Sequence, residues 1–287
     1  MGNVLIGGST GYLGGFVLRE AKRRGHRVRA LTRSKQKLLH VESEIDEVVV
    51  GQITEPDSLR GISEGMDVVI SSIGITRQKD GLTYEDVDFQ ANLNLLNEAL
   101  ASGVRKFVYV SLLHADQMRD LKIVEAKERF VEILRDSGVS YTVIRPNGFF
   151  SDMRAFSDMA KRGRVYLFGR GDFQINPISG RDVAARCLDA IDLDVEELSF
   201  GGPETFTHRE IAEEAFSALG MDAKITCVPV SIGRAVLSTL RVITPVHIYG
   251  PVEFTVTVIT RDMVGPPCGT DRLGDYFRSE VDQQQLQ

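Results

Sequence analysis

Residues 3–14 read NVLIGGSTGYLG, a short apolar run followed by glycines at 8, 11 and 14 that open an amphipathic segment. A turn that tight at a helix start leaves several backbone N–H groups without intrahelical partners, all aimed one way, and the helix dipole adds positive potential there. Such a place seats a diphosphate. Glycine spacing alone carries little weight, because ordinary turns also use glycine for its φ freedom. The flanks supply the context: an apolar strand before the turn, a helical stripe of Leu13, Phe16, Val17 and Ala21 after it, and a second strand over 27–31. The stretch reads as a dinucleotide-binding turn.

Outward from it, strands and helices alternate with short joints, the pattern of a parallel sheet covered on both faces. Strands are predicted over 3–7, 27–31, 47–50, 67–71, 106–111 and 140–144, and the clearest helices over 84–102 and 120–137. This is the α/β, Rossmann-type doubly wound parallel sheet, which takes ligands at the carboxyl ends of its strands near strand 1. After Pro146 the rhythm changes. A short helix over 151–160 is followed by a turn-rich region around Gly163, Gly169 and Gly171, a helix over 180–191 and a strand over 198–200. Then come a helix capped by Thr207 with Glu210 three residues on, a strand over 224–228, and loosely amphipathic helices to Phe277. The expected organisation is a dinucleotide-binding domain over 1–150, to which 178–200 returns. A smaller, partly interleaved C-terminal substrate-side region covers 151–177 and 201–280, and a Gln-rich tail over 281–287 frays.

A formal net charge of −6 over 287 residues argues against a general nucleic-acid surface and leaves room only for local anion sites. Cys187, Cys227 and Cys268 are odd in number and far apart, so neither a disulfide framework nor a metal site is expected. A reduced, cytoplasmic setting fits them, and strand 1 begins too early to leave space for a leader peptide. No apolar run approaches the roughly 18 residues of a transmembrane segment. Arg234, Arg241, Pro245, Pro251 and Glu253 interrupt the most apolar late stretch.

Two cations stand out. Strand 2 ends Ala30-Leu31-Thr32-Arg33, with Lys35 and Lys37 beyond. An acidic residue there would accept hydrogen bonds from a free ribose 2′-OH, whereas the planar fork of Arg33 matches a 2′-phosphate. NADP(H) is predicted over NAD(H), the alternative being a solvated turn. In the helix LKIVEAKERFVEILRDSG, residues Ile123, Val124, Ala126, Phe130, Val131, Ile133 and Leu134 fall on one face, and Lys122, Glu125, Glu128, Arg129, Glu132, Arg135 and Asp136 on the other. Lys127 sits amid the apolar face, where an unpaired ammonium is costly. Either its stem covers apolar surface while its head reaches water, or its head enters a cleft and meets ligand hydroxyls.

The motifs GGSTGYLG, the run Val108-Tyr109-Val110-Ser111, Lys127 within EAKERF, YTVIRPNGFF and ISGRDVAARCL together resemble atypical short-chain dehydrogenases/reductases of the NmrA-like, NAD(P)-binding group, among them isoflavone-reductase-like and divinyl-chlorophyllide-reductase-like proteins. The resemblance runs from residue 3 to about 230. It implies that Gly8, Gly11 and Gly14, with the backbone of Ser9, Thr10, Tyr12 and Leu13, hold the pyrophosphate and that Arg33 meets the 2′-phosphate. It further implies that Ile53 flanks adenine, with Gln52 where an acidic residue usually stands, and that Ser71, Ile73 and Gly74 lie along the adenosine ribose. Ser111 matches the active-site serine, Lys127 the lysine at the nicotinamide ribose, and Pro146 with Asn147 the turn beside the ring.

One departure bears on chemistry. Many relatives place a tyrosine four residues before the lysine as the proton shuttle, and this chain has Ile123 there. The leading expectation is an NADPH-dependent reductase of an unsaturated or carbonyl-containing, largely apolar small molecule. Lys127 and Ser111 are its catalytic candidates, with Lys127 as proton donor or ribose clamp, and Leu112, Leu113, His114, Phe149 and Phe150 are at the substrate. Both phenylalanines are equally readable as core, and His114 as a loop residue. The alternative is a non-catalytic NADP(H)-sensing regulator or assembly factor, which the missing tyrosine and an exposed face over 236–258 would favour. A sugar-nucleotide epimerase is a weaker third reading.

Overall fold

The computed structural model describes residues 1–75 and 81–285. The first half alternates β1 (Asn3–Gly7), α1 (Tyr12–Arg23), β2 (Arg27–Thr32), β3 (Glu47–Val50), β4 (Val68–Ser71), α2 (Ala91–Ala101), β5 (Lys106–Val110), α3 (Lys122–Asp136) and β6 (Ser140–Pro146). There follow α4 (Phe150–Lys161), β7 (Val165–Phe168), β8 (Gln174–Ile175), α5 (Gly180–Asp189), β9 (Glu197–Phe200), β10 (Phe206–Thr207), α6 (His208–Ala218), β11 (Ile225–Val228), α7 (Val230–Ile243), α8 (Val246–Ile259) and α9 (Leu273–Gln285). The central sheet has the order β3-β2-β1-β4-β5-β6-β9, with parallel pairing from β3 through β6. This is the Rossmann-type arrangement expected from the alternation.

Strand β1 is covered on both faces: Val4, Leu5 and Ile6 are fully buried, each stabilising the fold by about 1.5–3 kcal/mol of transfer free energy. Its neighbours are in register at their carboxyl ends, Gly7 opposite Ser71 and Ser71 opposite Tyr109. The loops leaving β1, β4 and β5 therefore start from one edge. Helix α1 buries Leu13, Gly14, Val17, Leu18 and Ala21, while Phe16 lies at the rim of that stripe with its ring edge-on to Tyr12 at 5.2 Å.

The chain divides into two compact units, one comprising Met1–Arg145 and Val183–Leu198, the other Pro146–Asp182 and Ser199–Gln287. In the second, β7 pairs parallel with β11 and β8 antiparallel with β10. The capping box of α6 forms as read: Thr207 Oγ1 accepts from the Glu210 N–H and Glu210 accepts from the Thr207 N–H. Asn147 Nδ2 donates to Asn176 Oδ1 at 2.8 Å and to the Met263 carbonyl at 2.6 Å, tying three loops of this unit together.

Three expectations are revised. The turn-rich region after α4 contains the strand β7, whose Tyr166 is exposed and so masks the alternation that a half-buried strand would show. Helix α9 continues to Gln285, through most of the stretch expected to fray, and residues 286–287 lie outside the described residues. On α3, Glu128 is buried and Ile133 is 37% exposed, the reverse of their expected faces. Both lie at the margins of the apolar stripe, where a partner on β6 decides which edge turns inward. No helix among the described residues is long and apolar enough to cross a membrane.

Candidate cofactor-binding site

Gly8 directly follows β1 with φ +81°, a left-handed conformation that disfavours a side chain, and its carbonyl accepts the Gly11 N–H at 2.9 Å. A Cβ on Gly14 would fall 2.1 Å from that carbonyl oxygen, so only glycine lets α1 approach the turn this closely. A Cβ on Gly8 would stand 2.7 Å from Ser72 Oγ. No side chain caps α1 at Gly11 and no acidic residue occupies its first turn. The positive end of its dipole is left uncompensated. Thr10, Gly11 and Tyr12 are exposed, whereas the Ser9 hydroxyl turns inward and donates to the Leu31 carbonyl at 2.6 Å. The bare backbone cradle fits a pyrophosphate, with main-chain donors rather than the Ser9 side chain.

At the end of β2 the Thr32 hydroxyl donates to the Ser34 carbonyl and accepts the Ser34 N–H, a local turn that leaves Arg33 pointing out. Arg33 is exposed and makes no ion pair or hydrogen bond among the described residues. Ile53 is half-buried, its carbonyl accepting from Asn94 Nδ2 at 3.0 Å. Ser71 is fully buried and donates to Asn92 Oδ1 at 2.5 Å, and Ile73 is buried beside it. Both side chains are committed to the core, so at these two positions the loop can offer a ligand its main chain only.

Gly74 is the close-approach point of that loop. A Cβ there would lie 2.7 Å from Asp88 Oδ1 and 2.8 Å from Lys127 Nζ. The ammonium sits 3.0 Å from Asp88 Oδ1, with the Lys127 side chain 11% exposed and Asp88 not at all. Burial disfavours the charged lysine, but the oxygens of Tyr109 and Asp88 more than offset it and hold Lys127 above its ordinary range. Burial likewise pushes Asp88 up, against the pull of Lys127, and raises the Tyr109 phenol to about 12, leaving it neutral near pH 7. Lys127 does not snorkel: its head is an ammonium held under the β4 loop.

Ser111 has other partners. Its hydroxyl donates to Glu128 Oε1 at 2.8 Å and accepts from Arg145 Nη1 at 3.3 Å. Arg145 forks onto both Glu128 oxygens at 2.7 and 2.8 Å and reaches Glu197 at 2.9 Å. The structure thus pairs Lys127 with Asp88 and seats the Ser111 hydroxyl on a different ion pair, Glu128–Arg145. Ile123 is buried, 5% exposed, and no phenol replaces it at that position. Leu112 and His114 are half-buried, while Leu113, 2% exposed, belongs to the core of the first unit. In the second unit Pro146 and Asn147 are buried, Asn147 is spent on the loop contacts above, and Phe149 is half-buried. Phe150, 3% exposed, packs against Tyr276 at 5.7 Å, as core rather than pocket wall.

His114 is the one non-glycine residue with positive φ among the described residues, at 55°. That conformation costs an L-residue about 1 kcal/mol or more. His114→Gly should raise the unfolding free energy read by urea denaturation by roughly 0.5–1 kcal/mol after the added unfolded-state freedom is counted. A loss of stability instead would show that the imidazole makes contacts worth more than the strain.

The model of a family described as NAD(P)H-binding matches residues 8–194, beginning at the first glycine of the cradle. The chain belongs to the NAD(P)H-binding family. A family relative, the chloroplastic divinyl chlorophyllide a 8-vinyl-reductase of Zea mays, is 33% identical over 258 residues, covering 83% of this chain and 64% of its own length. The chain thus spans under two thirds of that relative. The photosystem II assembly factor Ycf39 of Synechocystis is 28% identical over 242 residues, covering 83% of this chain and 74% of its own. In fold, the chain is similar to an NADPH-dependent quinone oxidoreductase from Escherichia coli solved with NADPH. The TM-score is 0.76 and the identity 20%, over 97% of this chain and 99% of that one. The resemblance to NmrA-like atypical reductases holds.

Four site residues escaped sequence reasoning, Asp88, Asn92, Arg145 and Glu128. Asp88 and Asn92 are a polar pair at helical spacing on the same buried face as Tyr84, Ala91 and Leu95, and carboxylates are rarely buried without a partner. That was a readable signal for a partner to Lys127. Arg145 interrupts the buried strand VIRP and Glu128 was placed on the wrong face, so their pairing became visible only once β6 and α3 were packed together.

Proposed function

We propose that the chain uses NADPH to reduce an unsaturated or carbonyl-containing, largely apolar small molecule. The observation that carries this is the ammonium of Lys127 held against Gly74, on the same strand-end edge as the glycine cradle. In this reading the main chain of residues 8–14 holds the pyrophosphate, Arg33 the 2′-phosphate, Ile53 and the backbone of 71–74 the adenosine half, and Lys127 the nicotinamide ribose, with Pro146 and Asn147 near the ring. The cofactor supplies hydride. Lys127, kept charged above its ordinary range, orients rather than protonates. Ser111, whose proton is given to Glu128, offers a ligand only its lone pairs. Leu112, His114 and Phe149 are the remaining substrate-contact candidates.

NADPH oxidation over a panel of enones, quinones and vinyl-substituted conjugated rings tests the reading, the vinyl arm being chosen because the maize relative is named a vinyl-reductase. Turnover of at least one class is expected, with Lys127→Ala sharply reducing it while leaving the circular dichroism unchanged. Arg33→Asp should weaken NADPH binding by about tenfold or more while sparing NADH, since it exchanges a charge-assisted contact for repulsion. Equal effects on the two nucleotides would remove Arg33 from the site.

A second reading has its own support. Ile123 leaves no phenol at the usual proton-donor position, and α7 exposes Ile232, Val236, Val242 and Ile243 by 51–85%. A patch of that kind marks interaction surfaces, and one relative is named an assembly factor. Under this reading NADPH binds with no panel member turned over.

A further inference from the structure

Beyond the residues that touch a nucleotide, we infer that Asp88 is the positioning residue for Lys127, one carboxylate that fixes the ammonium and the loop after β4 as a single unit. The inference rests on the cofactor reading above. Asp88 is fully buried in a π-helical turn, Glu85–Gln90, just ahead of α2. Such turns are rare and occur frequently at functional sites. Its Oδ1 faces Lys127 Nζ at 3.0 Å and its Oδ2 accepts the Ile75 N–H at 3.3 Å. Asn92, one turn on, stitches the same pieces: its amide donates to the carbonyls of Val87, Asp88 and Ile73, and its oxygen accepts from Ser71. Loop residues Ser71, Ile73 and Ile75 are thus bonded to the helix that carries Asp88, and Gly74 lies over the ion pair without a side chain to part it.

Asp88 is the one carboxylate paired with this ammonium among the described residues. Tyr109 on β5 contributes a neutral phenol, its ring centroid 5.6 Å from Nζ. On α3 the neighbouring charges are engaged elsewhere, Glu128 with Arg145 and Arg129 with Glu85, and Asp116 in the turn between β5 and α3 is exposed. A lysine buried without a counter-charge loses its proton, with shifts of several pH units on record. Asp88 therefore does two things: it keeps Nζ charged, and it sets where Nζ stands relative to the loop main chain that faces the nucleotide.

Asp88→Asn keeps the shape and removes the charge. NADPH affinity of the wild type, read by fluorescence titration from pH 6.5 to 9.5, should be flat. Asp88→Asn should bind within about threefold of wild type at pH 6.5 and lose about tenfold by pH 9.5, as Lys127 deprotonates. Gly74→Ala, which crowds the pair without changing any charge, should weaken binding about equally at every pH. A pH-flat Asp88→Asn overturns the inference, because a merely structural carboxylate predicts a uniform loss. Competitive acetylation with acetic anhydride, read at Lys127 by mass spectrometry on the nucleotide-free protein, should place the wild-type midpoint above 10.5 and the Asp88→Asn midpoint below it. Equal midpoints also overturn it. A wild type that ignores NADPH sinks the cofactor reading alone, since the acetylation arm still decides the pair. If Asp88→Asn does not fold, a wild-type midpoint at or below 10.5 overturns it.

Discussion

Arg145→Ala is expected to destabilise the protein by about 3–5 kcal/mol, the range for removing one partner of a buried ion pair. The guanidinium and the Glu128 carboxylate are each 8% exposed, bidentate, and joined by the Ser111 hydroxyl, so truncation leaves a buried anion with one hydroxyl donor. Burial opposes the ionisation of Glu128, and the fork from Arg145 with the Ser111 hydrogen bond outweighs it, holding the carboxyl below its ordinary range. The sign of the pH dependence follows. A folded-state pKa depressed below 4.5 contributes stability that is present above 4.5 and is lost as pH falls through the depressed value. Urea denaturation should therefore give a wild-type stability that falls between pH 5 and lower pH more steeply than that of Glu128→Gln. Arg145→Leu, which fills the volume with apolar atoms, should still cost more than the double variant Arg145→Leu/Glu128→Leu, because only the single change strands a charge. If Arg145→Ala costs under about 1 kcal/mol, the pair is behaving as a solvated surface bridge.

That network was illegible in the sequence for a definite reason. The alternation of apolar runs, the glycine turn and the Thr207 cap report on local backbone geometry, and each left its mark within a few neighbouring residues. Lys127 was legible because a cation in the middle of an apolar stripe breaks a local rule. Glu128 broke none: it sat at the margin of the stripe, and only the guanidinium that β6 brings against α3 turns that margin inward. Ser9 and Ser71 illustrate the converse. Their positions were found from the turn, yet their hydroxyls bond to Leu31 and Asn92, partners 22 and 21 residues away, so which atoms remain for a ligand is a tertiary fact. Asp88 lies between these cases: its helical spacing from Tyr84 and Ala91 marks a buried face, but only the ammonium opposite it explains a carboxylate there.

Gly14→Ala should abolish measurable NADPH binding, a loss of about a hundredfold or more, and cost about 2–3 kcal/mol of stability by overpacking. The added Cβ would meet the Gly8 carbonyl oxygen at 2.1 Å, its carbon at 2.8 Å and the Ser9 Cα at 2.9 Å. All three are backbone atoms of the turn itself, so no side chain can swing aside. The only relief is to lift α1 off the end of β1, which moves the helix N-terminus and its donors away from the place a diphosphate would occupy. Two neighbouring glycines serve as internal controls. Gly11 has an ordinary φ of −82° and its Cβ would stand 3.2 Å from the same oxygen, so Gly11→Ala should cost NADPH affinity less than about tenfold. Gly15 points its Cβ at open space, with only the tip of Arg19 at 3.9 Å. In the interior of α1, Gly15→Ala should raise stability by about 0.5–1 kcal/mol through helix propensity and leave NADPH affinity unchanged. Isothermal titration with thermal denaturation on the three variants separates geometry from composition, since all three make the same chemical change within five residues. Gly14→Ala binding NADPH within threefold of wild type would mean that the approach of α1 to this turn is not what seats the nucleotide.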